Sequence, residues 1–129
     1  MTNTTLLILL SIGLGAGMLS GFVGIGGGVI IVPALVFLLG LSQHEAQGTS
    51  LFVLVMPVVF LALTNYWKTG NVNWKYGLII ALSFVIGGYF GSKLSLKLSP
   101  QFVKLAFGLI MAYVSFQLIF SSIQEIKGK

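Results

Sequence analysis

The sequence contains no cysteine, no arginine and no aspartate, and it has one histidine, two glutamates and three prolines. Without cysteine there is no disulfide framework and no thiolate metal site, and no metal or other cofactor is expected. Without aspartate or cysteine, and with a single histidine, no catalytic triad can be assembled. Charged residues make up 7 % of the chain and hydrophobic residues 57 %. A water-soluble domain of 129 residues needs far more polar surface than that. Together these absences exclude a soluble enzyme and point to an all-α integral membrane protein formed of one domain, residues 1–129. No acidic residue lies mid-way along an apolar stretch, which argues against a proton pump or a cation pathway.

The seven lysines give a formal net charge of +5. Each lies in a loop or at the C-terminus, beside an apolar stretch, where lysine marks topology and meets lipid headgroups. Membrane lipid is therefore an expected partner and nucleic acid is not. If successive loops alternate sides, Lys68, Lys75, Lys127 and Lys129 face Lys93, Lys97 and Lys104 across the membrane. Four against three does not set an orientation. The N-terminal "MTNTTLLILL" lacks the basic start of a secretory leader and reads as a retained span.

Five apolar spans are expected, at about 5–22, 28–41, 43–66, 77–92 and 102–123. The first two are continuous but for glycines. A single helix from Thr5 to Gly40 would be about 54 Å long, against a hydrocarbon core of ~30 Å. The first region must therefore break, either into two crossings or into one crossing and a re-entrant half-helix. That gives about four transmembrane helices, with a fifth crossing as the alternative. "SQHE", Ser42 to Glu45, fits a capping box that starts the next helix. Pro57 should kink that helix. "NYWKTGNVNWKY", Asn65 to Tyr76, reads as a short turn with an interfacial aromatic belt. "SKLSLKLSPQFVK", Ser92 to Lys104, reads as a basic connection with Pro100 near the next helix start.

The break falls in "GFVGIGGGVIIVP", Gly21 to Pro33. Gly13, Gly17, Gly21, Gly24 and Gly28 follow the small-xxx-small spacing that lets helices approach closely, and Gly87 and Gly91, flanked by Ser83 and Ser95, repeat it. Packing does not account for the adjacent Gly26, Gly27 and Gly28, which point around a helix. No Gly-Lys-Ser/Thr follows and no G-x-G-x-x-G is present, so neither nucleotide motif applies. Two readings remain: a packing kink, or an opened backbone whose helix restarts at about Gly28. A restarted helix presents free N–H groups and a positive dipole end, a ready anion site. Broken helices of this kind build the substrate sites of many secondary transporters. Pro33 lies just inside the restarted helix.

Thr49 and Ser50, in "GTSLF", could give hydroxyl donors to an oxyanion or could bond back to their own helix. His44 and Glu45 are the titratable pair nearest a span. They are candidates for proton coupling, against a plain capping role at the interface.

In order, "GFVGIGGGVIIVP", "GTSL" and "GNVNW" resemble the repeat of the sulfite exporter TauE/SafE family, over about Leu6 to Phe120. Gly26, Gly27, Gly28 and Pro33 match its first motif, Thr49 and Ser50 its second. Most members look like two such repeats in about eight spans. With one repeat, the resemblance implies a homodimer in a bacterial or archaeal inner membrane, multi-pass. It also implies a small anionic substrate such as sulfite, a sulfonate or a related organic acid. Two other functions compete. One is a small dual-topology four-span channel or exporter, although the membrane-embedded glutamate or the arginine signature of such proteins is missing. The other is a non-transport accessory subunit whose glycines serve assembly alone.

Overall fold

Thr2 opens the first helix: its Oγ1 accepts the Thr5 N–H at 3.2 Å, an N-cap that satisfies one free donor. The computed structural model describes residues 1–129, arranged as α1 Asn3–Val23, α2 Gly28–Leu39, α3 Gln43–Val55, α4 Phe60–Lys68, α5 Trp74–Lys97 and α6 Pro100–Lys127. Each later start also has a local cause. Ser42 Oγ accepts the Glu45 N–H at 3.2 Å to open α3. Asn73 Oδ1 does the same for Tyr76 at 3.1 Å, and Ser99 Oγ for Phe102 at 3.2 Å. Pro100, at the first position of α6, lacks an N–H where none is needed.

α1 stops at Gly24, φ +80°, whose N–H donates to the Ser20 carbonyl at 2.7 Å. Gly26 and Gly27 follow at φ +78° and +80°, a left-handed region that costs other residues about 1–2 kcal/mol. α2 then begins at Gly28. It folds back on α1, so that Ala16 of α1 is buried with Ile31, Val32 and Leu35 of α2 and Ala46 of α3. This small cluster is the core. α2 ends at Gly40, φ +71°.

Three helices, α1, α5 and α6, are each long and apolar enough to cross a membrane. α3 and α4 qualify only as a pair, bent by 54°. The structure corrects two expectations here. The bent pair long enough to span lies at Met56–Val59, not at the glycines. α1 is a sufficient span alone, whereas the 12 residues of α2 reach only about 18 Å, short of the ~30 Å hydrocarbon core. And residues 43–66 are not one kinked helix. Met56 is extended, φ −67°, ψ 147°, as a residue before proline prefers, and Pro57 has no N–H to offer. The helix therefore ends and restarts.

Two connections are shorter than their composition suggests. Serine and lysine made Ser92–Lys104 look like a loop, but α5 continues to Lys97 and only Leu98 and Ser99 separate it from α6. Lysines tolerate helix at an interface because their stems lie along apolar surface while the ammonium reaches water. Likewise the Asn65–Tyr76 turn shrinks to residues 69–73, with α4 running through Lys68.

Candidate functional site

α2 presents an open N-terminus. Its N-cap, Gly27, has no side chain to satisfy the first-turn donors. The Ile30 and Ile31 N–H groups reach back to the Gly27 carbonyl at 3.0 and 2.9 Å. Those of Gly28 and Val29 have no acceptor within the helix. A second helix closes on this point. Ser50 of α3 is buried, and its Oγ lies 3.3 Å from where a Cβ on Gly28 would sit. Only glycine permits so close an approach of the hydroxyl to the restarting backbone.

These groups open on a cavity of about 820 Å³, within the ~300–1,000 Å³ of typical ligand sites. Gly24, Gly26, Gly28 and Val29 form one wall. His44, Gln47, Gly48, Ser50, Leu51 and Leu54 of α3 form another, and Phe84, Gly88, Gly91, Ser92 and Ser95 of α5 face them. Ser95 Oγ donates to Gln47 Oε1 at 3.2 Å, tying α5 to α3.

His44 is the one titratable residue in that lining. Its Nε2 lies 3.1 Å from the Leu98 carbonyl. A carbonyl only accepts, so Nε2 carries the proton and Nδ1 keeps a lone pair. That Nδ1 is buried and has no partner.

The structure thus brings together Gly26, Gly28, Ser50 and His44, with the buried Gly27 between them in the chain, and separates the rest. Thr49 is exposed and its Oγ1 donates to the Glu45 carbonyl of its own helix at 2.7 Å. Glu45 is exposed and outside the cavity lining. Pro33 lies along α2 and borders a different, smaller cavity. Pro57 lies at the α3–α4 break. Of the glycines expected to pack, Gly13 and Gly17 have nothing within 4 Å of a built Cβ, while Gly21 has Ala62 Cβ at 3.8 Å. Gly91 and Ser95 line the cavity, and Gly87 and Ser83 do not.

Sequence reasoning missed Gln47 and Ser92. A signal existed in α3: His44, Gln47, Gly48, Leu51 and Leu54 fall at i, i+3, i+4, i+7 and i+10, one helical stripe. No such stripe could say that α5 faces it.

The family model for the sulfite exporter TauE/SafE matches residues 2–128. The chain belongs to the TauE/SafE family. This TauE/SafE chain is similar to a "Probable membrane transporter protein" of Haemophilus influenzae, 33 % identical over 129 residues covering 92 % of the chain and 47 % of the relative. A protein of the same name from Xylella fastidiosa is 31 % identical over 115 residues, 88 % of the chain and 44 % of the relative. "Probable membrane transporter protein YunE" of Bacillus subtilis is 28 % identical over 107 residues, 83 % and 39 % respectively. The TauE/SafE chain thus spans less than half the length of these curated relatives. No solved structure matches it. Its long apolar helices and its family make it a multi-pass protein of the plasma membrane.

Proposed function

We propose that the chain is one half of a secondary transporter for small anions, with the substrate held between the open N-terminus of α2 and Ser50. The carrying observation is the Gly28–Ser50 approach. It sets the free N–H groups of Gly28 and Val29 beside a buried hydroxyl at the wall of a ligand-sized cavity. Backbone N–H groups and a helix dipole suit an oxyanion. Gly26 and Gly27 form the turn that delivers them. Thr49 has no part, because its hydroxyl is committed to its own helix.

Family membership supports transport rather than catalysis, and the family description favours sulfite or related sulfur-containing oxyanions and organic acids. A span of less than half the relatives' length supports a homodimer that rebuilds a two-repeat body. In that body α2 is a half-helix that enters the membrane without crossing it alone. His44, not Glu45, is the group that would take a coupling proton, at its unpartnered Nδ1.

The test is flux of sulfite and of a small alkyl sulfonate into proteoliposomes holding the purified chain. Gly28→Leu pushes a side chain onto Ser50 Oγ and should lower flux about tenfold or more. Insertion and the cross-linked dimer should persist. Undiminished flux in that variant, or no flux in the wild type, rejects the reading.

A further inference from the structure

A second cavity, of about 250 Å³, lies between α2 and α6, apart from the transport site. It is smaller than the ~300–1,000 Å³ that encloses a whole small ligand. It suits part of a longer molecule. Its α6 wall is Lys104, Phe107, Gly108 and Met111, at i, i+3, i+4 and i+7, a straight stripe of about 10 Å. Its α2 wall runs from Phe37 to Val32. The groove is therefore charged at one end and apolar along the rest.

Two donors stand at the charged end. Lys104 is exposed, with its Nζ 4.9 Å from the centre of the Phe37 ring. Gln43 also lines the cavity. It is 5 % exposed, and its Nε2 is buried without a hydrogen-bond partner. A buried amide left unpaired is costly, so an acceptor that meets it is favoured. Lys93 and Lys97, in the last turns of α5, precede the short connection to α6 and add positive charge near its start.

From this juxtaposition we infer that the α2–α6 groove is a binding site for one anionic glycerophospholipid. Its phosphate oxygens accept from the Lys104 ammonium and the Gln43 amide, and one acyl chain lies along Phe107, Gly108 and Met111. Charge chooses the occupant. A zwitterionic lipid offers the same chain but brings its own cation to Lys104 and Lys97. The site does not rest on the transport reading, since it shares neither Ser50 nor the glycine break.

Native mass spectrometry of the full chain, titrated in micelles with phosphatidylglycerol or phosphatidylcholine, measures retention. The wild type should keep one phosphatidylglycerol in preference to phosphatidylcholine. Lys104→Gln should weaken retention about fivefold, the usual effect of one basic residue at a lipid surface. Gln43→Leu should weaken it as well. Gly108→Phe is a plug: nothing lies within 4 Å of a Cβ there, so the protein should insert normally and lose the lipid. Lys68→Gln, in α4, should change nothing.

Three results overturn the site. Equal losses in Lys68→Gln and Lys104→Gln would mean diffuse charge. Displacement of the lipid by inorganic phosphate at matched concentration would mean a free-anion site. A disulfide between two copies of Gly108→Cys, in a chain otherwise without cysteine, would mean that a second protomer covers the groove.

Discussion

The chain breaks its helices twice, and the two breaks are built differently. At Gly24–Gly27 three residues take positive φ, Gly27 is buried, and the polar groups released face Ser50. At Met56–Val59 no residue has positive φ, Met56, Val58 and Val59 are exposed, and the bend follows from one proline and the residue before it. The first break needs a specific backbone that only glycine supplies and a neighbour that receives it. The second needs only a missing N–H. A break that places free donors in a polar cavity can bind something; a break on an apolar surface can only redirect the chain.

The largest expected effects separate these two cases. Gly27→Ala places a side chain at φ +80°, with Ile31 Cδ1 3.5 Å and Ser20 Cβ 3.9 Å from its Cβ. It should lower stability by about 1–2 kcal/mol, read from the midpoint of denaturation in mixed micelles. Pro57→Ala restores an N–H at an exposed break and should stay within about 0.5 kcal/mol. Equal losses in the two variants would erase the distinction.

Much of this contrast was legible in the sequence. The length of Thr5–Gly40 against the bilayer required a break, and three adjacent glycines located it. Ser42 announced the start of α3, and its Oγ does cap Glu45. Pro57 was read too gently, as a kink, because the extended preference of Met56 adds to the missing N–H. Ser92–Lys104 was read as a loop from its polar residues. A helix at an interface carries the same residues, and only Ser99-Pro100 marks the real turn. The site was legible as motifs but not as neighbours. Gly28 and Ser50 each stood out, but their contact is tertiary. Gln47 and Ser92 belong to the cavity because α5 faces α3, a fact with no local signature.

Adjacent residues on α3 give the next test. Thr49 and Ser50 differ by about 100° around the helix, which turns one hydroxyl back to Glu45 and the other toward Gly28. If the glycine break binds an anion, Ser50→Ala removes a donor to a charged group and should raise the KM for anion flux about tenfold. Thr49→Val should change it less than about twofold. The reverse order would move the site off the break and leave the glycines as a structural turn.

The smallest effect tests whether the breaks are independent. Tyr66, beyond the proline break on α4, donates its hydroxyl to the Gly21 carbonyl at 2.7 Å. α1 ends at Val23, so Gly21 is one of the last-turn carbonyls with no N–H ahead to accept. Tyr66 thus supplies a C-terminal cap to α1 from another helix, three residues before the glycine turn at Gly24. Tyr66→Phe keeps the ring and loses this bond, at a cost of about 0.5–1.5 kcal/mol. Combining it with Pro57→Ala tests the link. Straightening α3–α4 should carry Tyr66 away from Gly21, so the double variant should lose less than the two single losses combined. A discrepancy above about 0.5 kcal/mol would mean that the proline bend holds the cap in place. Simple additivity would mean that each break stands alone, and that α4 can reorient without disturbing the donors at Gly28.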